Sequence, residues 1–441
     1  MLMVSMDYSD LDLMLRKKFK NLQMLHQMRS FVYLIICNGG IMDFKQERIA
    51  TLHGLNIDKK KLIKIVSDST IVRPASVIMP MLYNEIKGDS LYNIKKGLNK
   101  CTYLKEVIIP LAAKNEREFS RVKKFFSDLK IPHLVMWCDG PKITKLLTEL
   151  KTDGIDLFEY RGKGRDVWLA LGIASLRSYA IALHDADIMM YDEMIPTKLL
   201  YPLVEPELDF KFNKGYYARV NTEKNIMYGR VFRLFLYPLI QALRDQSEHE
   251  LNFVNYLNSF RYPISGEFAL TSNLALDVDI PGNWGLEIGI MAEMYRNVIL
   301  KRICQTDLGF YDHKHQKIGS TDKGLIKMSG DILETLLRIL IEVDQLNVSN
   351  EFLISLRVLY QRNAQDCIRK YHADAHFNNI NYDRHNEENL VKIFSKEIIS
   401  AGNRYIEKPV GTRIPDWLRT MSTNKKIREN LLDIVIMDNE K

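Results

Sequence analysis

Two carboxylates, Asp185 and Asp187, stand one alanine apart where the apolar run in "ALHDADIMM" gives out. Acids so spaced at a strand end can take separate roles, one accepting hydrogen bonds from sugar hydroxyls while the other ligates a hard divalent cation bridging two phosphates. The spacing alone does not select them, because Asp10/Asp12 and Asp277/Asp279 repeat it. Lys163 lies between Gly162 and Gly164. Glycines admit close backbone approach and a lysine supplies a point charge for phosphate, although the same triplet also makes an ordinary surface turn. His313 and His315 bracket Lys314; on an extended segment they point the same way, and imidazole beside carboxylate and phosphate oxygens suits magnesium or manganese. The plainer reading is two surface histidines in a basic loop. His372 and His376, at helical i, i+4 spacing, have no third ligand in the sequence and read as structural.

The elements that must carry these groups follow from hydrophobic periodicity. Short β-rich runs at 76–80, 106–111, 133–137, 155–159 and 180–184 alternate with helical-period segments, which predicts a parallel sheet covered by helices. In "EREFSRVKKFFSDLK" Phe119, Val122, Phe126 and Leu129 recur at three- and four-residue spacing, the stripe of an amphipathic helix. Pro141 after Gly140 suits the first position of another helix. Open α/β sheets bind ligands beyond the carboxyl ends of their strands. Strand position therefore separates Asp185 and Asp187 from the other two pairs. Past Asp187, "FKFNKGYYARV" at 210–220 reads as a hairpin turning at 213–215. Helices are expected from Arg230 through Leu243, over 286–300, and in "GDILETLLRILIEVDQ" and "NEENLVKIFSKEIISA", a mostly helical C-terminal part.

Composition excludes several classes of protein. Over 441 residues, 46% hydrophobic and 27% charged content is that of a globular chain rather than a disordered one. Sixty-two basic against 55 acidic residues leave +7, too slight an excess to indicate nucleic-acid binding and compatible with small anionic substrates. Cys37, Cys101, Cys138, Cys304 and Cys367 are scattered without a C-x-x-C pair, so neither a zinc cage nor a disulfide framework is indicated and a reducing cytoplasm is the expected setting. The apolar run at 31–37 is far shorter than the roughly 20 residues a bilayer needs, so no membrane partner is expected. It also lacks the early basic stretch and small-residue cleavage site of a signal peptide. Met42 opens a polar stretch, and residues 1–41 are expected to be an extension outside the core.

Six stretches in order make the chain resemble the glucosyl-3-phosphoglycerate synthase family of retaining GT-A glycosyltransferases. They are "IMPMLYNE" at 78–85, "GKGRDVW" at 162–168, "LHDAD" at 183–187, "YGRV" at 228–231, and "GNWGLEIG" followed by "QTDLGFYDHKHQ" at 305–316. The resemblance spans about 42–320, and mannosylglycerate synthases share several pieces. It implies an α/β fold, a Rossmann-like nucleotide-sugar-binding core with a mixed sheet, followed by the helical C-terminal region. The organisation expected is an extension (1–41), a nucleotide-sugar half (42–187), an acceptor half (188–320) and a helical part (321–441). Pro80, Leu82 and Glu85 would line the base pocket, Lys163 would reach the nucleotide, and Asp185 would hold the donor ribose or sugar. Asp187 and His313 would hold the metal, Mg2+ or Mn2+. Gly229 and Arg230 match the acceptor turn, where a backbone N–H and a guanidinium grip a phosphate or carboxylate. Trp284 and His315 would join them, and Glu287 stands at an acidic position near the transferred sugar.

The chain departs from the family pattern in places. Phe232 follows the "GRV" turn where threonine is common, Trp284 stands where tyrosine is frequent, His315 where asparagine can occur, and "PLAAKNE" replaces a D-x-G-S strand end. The implied reaction is metal-dependent transfer of glucose from a nucleotide-diphosphate donor to 3-phosphoglycerate with retention, a step toward the compatible solute glucosylglycerate, in a homodimer. Asp185, Asp187 and Glu287 are the candidate catalytic carboxylates. Alternatives are a mannosylglycerate synthase-like enzyme using GDP-mannose and glycerate, and a non-catalytic nucleotide-sugar-binding protein.

Overall fold

Small and β-branched residues fill the runs at 75–78 and 180–183, and every residue of both is buried, as in strands covered on both faces. In the computed structural model, which describes residues 46–221, 224–282, 284–312, 324–411 and 413–440, they form β2 (Ala75–Ile78) and β6 (Ala180–Leu183) at the centre of a mixed sheet. The other strands of that sheet are β1 (Ala50–Leu52), β3 (Met81–Leu82), β4 (Glu106–Ala112), β5 (His133–Trp137), β7 (Phe212–Asn221), β8 (Ile226–Met227), β9 (Phe268–Thr271) and β11 (Ile303–Tyr311). Its order is β1-β11-β7-β9-β6-β2-β4-β3, with β5 on β4 and β8 on β7. β6, β2, β4, β3 and β5 are mutually parallel, while β9 runs antiparallel between β6 and β7. One edge therefore gathers the carboxyl ends of β2, β6 and β7 and the start of β9, the place where open α/β sheets bind ligands.

Four of the five runs expected to be strands are strands. The fifth, at 155–159, is a loop ending in a 3-10 turn at Phe158–Tyr160. Its alternation is real, since Ile155 and Leu157 are buried, but the Asp156 carboxylate accepts the Phe158 N–H at 2.9 Å and curls the chain out of extension. The expected hairpin turn at 213–215 lies instead within the first half of the single strand β7. Gly215 is there for proximity, because a Cβ would sit 2.6 Å from Leu308 Cδ1 and 3.2 Å from the Glu267 backbone oxygen. The amphipathic helix lies at Glu116–Phe126 and buries Phe119, Val122 and Phe126; Pro141 starts the Pro141–Thr152 helix.

The Lys163–Arg177 helix is buried from Gly164 to Ala174 on all sides, as a central helix must be. Trp417, from the C-terminal region, stacks on Trp168 with ring centroids 3.8 Å apart, and its indole N–H donates to Trp168 O at 2.9 Å. A two-stranded ribbon of β10 (Ile280–Pro281) and β12 (Arg413–Ile414) runs beside this helix, and Gly164 packs on Pro281 so closely that a Cβ would lie 2.3 Å from the Pro281 oxygen. The first turn of the helix is thus fixed from behind. Helices at Leu286–Asn297, Gly324–Asp344, Asn350–Phe377 and Arg384–Glu407 complete the expected helical C-terminal part. No described helix is long and apolar enough to cross a membrane.

Candidate active site

At the strand-end edge lies a cavity of about 370 Å³, within the range of small-molecule sites. It brings together Pro80, Leu82, Glu85, Lys163, Asp185, Asp187, Gly229, Arg230, Trp284 and Glu287, which are 207 positions apart at the extremes of the chain. Of the sequence-derived site residues, only His313 and His315 are missing from this wall; both lie outside the described residues. The chain leading to them is anchored next to the aspartates, since Met189 N–H donates to Asp312 O at 2.8 Å and the Asn221 amide to Asp312 Oδ2 at 2.7 Å. Asp277 and Asp279 lie elsewhere: the Asp279 carboxylate caps the backbone N–H of Asp416.

Lys163 is the hub. Its ammonium donates to Asp185 Oδ1 at 2.7 Å and to Glu287 Oε1 at 3.2 Å. Burial works against its charge, but Asp185 and Glu287 outweigh burial and hold the ammonium protonated well above the usual lysine range. The "GKG" triplet is no surface turn. Gly162 adopts φ +143° and Gly164 presses against Pro281, so both glycines are demanded by backbone geometry and proximity. His184 in "LHDAD" is structural: its ring, fully buried, sits between Asp185 O and the Tyr191 hydroxyl at 3.0 Å each, and burial lowers its pKa to about 4. A neutral ring donating from Nδ1 satisfies both neighbours and pins the aspartate backbone.

Asp187 differs from Asp185. Its Oδ1 is buried without a hydrogen-bond partner among the described residues, and its pKa is well raised by burial, then by Asp185, Glu85 and Glu267, against the opposing Lys163. A hard divalent cation is the group that this surplus of carboxylate oxygen fits. Also in the lining, Gly229 turns at φ +77°, Arg233 N–H donates to Gly229 O at 2.9 Å, and the Arg230 Nε is buried without a partner among the described residues. The cavity therefore offers both anionic oxygen to a cation and a guanidinium to an anion.

Several residues in or beside the cavity wall escaped the sequence. Glu267, fully buried, accepts from the Tyr217 hydroxyl at 2.7 Å and lies 3.5 Å from Asp185 N. Gly266 beside it supports Asp185 so tightly that a Cβ would lie 2.6 Å from Asp185 Oδ2. Lys214, also buried, donates to Ser265 O at 2.8 Å, and burial pushes its pKa down to about 8. "SGE" has no local pattern of its own, and its relevance comes only from leading into β9, which pairs with β6. Leu325 and Met328 reach the cavity from the Gly324–Asp344 helix, where helical periodicity marks them merely as apolar.

No family model matches the chain. The glucosyl-3-phosphoglycerate synthase of Methanococcoides burtonii is 49% identical over 398 residues, 90% of this chain and 98% of that protein. That of Persephonella marina is 40% identical over 368 residues, 82% of this chain and 90% of its own length. A solved structure of the Mycobacterium tuberculosis glucosyl-3-phosphoglycerate synthase, in complex with Mn2+, UDP-glucose and phosphoglyceric acid, is 20% identical with a TM-score of 0.48, covering 66% of this chain and 87% of that one. Matches at 49% and 40% identity over nearly whole chains take in the sheet with its strand-end cavity and the helices beyond it, and on them the chain belongs to the glucosyl-3-phosphoglycerate synthase family.

Proposed function

We propose that this chain transfers glucose from a nucleoside-diphosphate glucose to 3-phosphoglycerate, with retention at the anomeric carbon. The observation that carries the reading is one cavity whose lining includes the Asp187 carboxylate and the Arg230 guanidinium, with Asp187 Oδ1 and Arg230 Nε buried and without a hydrogen-bond partner among the described residues. Family membership supplies the substrate pair, because the near-full-length relatives carry this activity in their names. Pro80, Leu82 and Glu85 line the donor's base pocket, and Asp185 accepts from sugar hydroxyls. Asp187, with His313, would hold Mg2+ or Mn2+, which when bound neutralises charge on the departing diphosphate.

Lys163 adds a fixed positive charge at the first turn of a helix whose own N-terminus favours anions, so both stabilise the charge that develops as the glycosidic bond breaks. Asp185 and Glu287 share the Lys163 ammonium. A carboxylate held in that way is a poor nucleophile, which favours attack by the acceptor hydroxyl on the face the leaving group vacates over a glycosyl-enzyme. Gly229, Arg230, Trp284 and His315 grip the acceptor, with the guanidinium on its phosphate or carboxylate. The buried thiols of Cys101, Cys138, Cys304 and Cys367 favour a reducing, cytoplasmic setting, and family resemblance favours a homodimer.

The test is an assay of the purified protein with UDP-, GDP- and ADP-glucose against 3-phosphoglycerate and glycerate, with magnesium or manganese. Product mass should show hexose added to 3-phosphoglycerate, and anomeric coupling should show an α linkage. Absence of that product across all donors, or transfer to glycerate alone, would overturn the reading.

A further inference from the structure

The helices after residue 324 contribute Leu325 and Met328 to the cavity, yet their middle portion reaches the acceptor turn from behind. Arg233 is 5% exposed and its donors are committed. Nε donates to Tyr228 O at 2.7 Å and Nη2 approaches Met227 O at 3.5 Å, the two carbonyls immediately before Gly229. Nη1 and Nη2 form a fork onto Glu387, at 3.0 Å to Oε2 and 2.7 Å to Oε1. Glu387 is buried too and belongs to the Arg384–Glu407 helix, 154 residues away in sequence. Tyr371 of the Asn350–Phe377 helix lies under the guanidinium, 4.8 Å from ring centroid to Cζ.

A second set of contacts holds the turn from outside. Asn381 N–H donates to Asn225 O at 2.8 Å, its side chain to Lys224 O at 3.3 Å, and the Asn225 amide donates to Asn379 O; Ile226 bridges Asn381 in parallel. Beyond the turn, Phe232–Leu236 is a π-helix, a geometry that leaves backbone carbonyls out of register, and the buried Tyr360 hydroxyl donates to Leu234 O at 2.6 Å. A buried ion pair seldom outperforms a well-packed apolar pair in stability, and its best-attested use is to fix register. Here the register fixed is that of the carbonyls that aim Gly229 and Arg230.

We propose that the Arg233–Glu387 pair is a positioning device through which the C-terminal helices hold the Gly229–Arg230 turn in its acceptor-gripping shape, setting affinity for an anionic acceptor without touching it. The proposal rests on the reading of that turn as the 3-phosphoglycerate site. Glu387→Gln keeps the shape and removes the charge. Steady-state kinetics of the full chain should show the KM for 3-phosphoglycerate raised about tenfold or more, with the KM for the nucleotide-sugar donor within about twofold. Equal shifts in both KM values, or a fall in Tm with neither KM changed, would overturn the proposal. Should Glu387→Gln fail to fold, Glu387→Asp, which keeps the charge but draws the carboxylate back from the Arg233 fork, is read in the same way, with an acceptor-only rise of about threefold expected and an unchanged acceptor KM counting as refutation. A wild-type protein that does not use 3-phosphoglycerate overturns the functional reading and this proposal together. A wild type that does, with variants that do not discriminate, overturns this proposal alone.

Discussion

Asp187 is placed where a carboxylate is costly until a cation arrives, so removing its charge should stabilise the metal-free protein while abolishing transfer. Its Oδ1 is buried without a partner among the described residues, and burial, Asp185, Glu85 and Glu267 raise its pKa against the opposing pull of Lys163. The folded state therefore binds a proton more tightly than the unfolded chain. The resulting penalty is absent in acid, below the ordinary carboxylate value of about 4, and grows as pH rises until the raised folded value is reached. At about pH 7 the ceiling is three pH units at ~1.4 kcal/mol each, roughly 4 kcal/mol, and sharing of protons with Asp185 reduces this to on the order of 1–3 kcal/mol.

Asp187→Asn should thus unfold later than wild type in urea with chelator at neutral pH, and the advantage should shrink toward pH ~5. Manganese offsets that advantage: at about 100 times its dissociation constant it adds ~2.7 kcal/mol to wild type and little to the variant. A metal-free variant less stable than wild type at neutral pH, or equal stabilisation of both by manganese, would refute the electrostatic account of this site.

Three other substitutions probe how the site is held. Lys163→Met should lower kcat by about 100-fold or more, since it removes the fixed charge shared by Asp185 and Glu287; a loss under about threefold in steady-state assays counts against its role. Gly266→Ala places a methyl 2.6 Å from Asp185 Oδ2, and kcat should fall about tenfold or more with the thermal midpoint nearly unchanged. Gly172→Ala would help an ordinary helix by up to ~1 kcal/mol, but here its Cβ meets Trp417 Cζ2 at 2.3 Å, so urea titration should show a loss of about 1–3 kcal/mol.

The parts of the site that are legible in sequence are those with a local cause. Asp185 and Asp187 end a strand whose apolar run ends with them, and Lys163 begins a helix between glycines that backbone geometry demands. Glu267, Lys214 and Tyr217 are not legible, because each becomes important only through the pairing of β6, β9 and β7, strands separated by long stretches of chain. The two misread segments share one physical reason. Alternation at 155–159 and a glycine at 215 report contacts made with the rest of the molecule, respectively a buried loop and a close strand crossing, and neither contact has a local signature. The helical C-terminal part is legible as helices but not as a support, since Trp417 on Trp168 and Glu387 on Arg233 are partnerships across 249 and 154 residues.

Those distant supports explain how the fold can tolerate a site with unmet polar atoms. An Asp187 oxygen and an Arg230 Nε that have no partner among the described residues each favour relaxation of the loop that carries them. Neither loop is free to relax. Asp185 and its neighbours are gripped by Gly266, the neutral His184 ring and the Lys163 ammonium, and the Arg230 turn by Arg233 and the Asn225–Asn381 contacts. Stability surplus from the buried core thus keeps cation-seeking and anion-seeking groups at fixed positions before any ligand binds. That is the condition under which electrostatic stabilisation of a transition state costs no reorganisation at the moment of reaction. It also predicts where substitutions separate stability from activity: at the ligand-facing atoms of Asp187 they raise the first and destroy the second, whereas at Trp417, Gly172 and Glu387 loss of support lowers both.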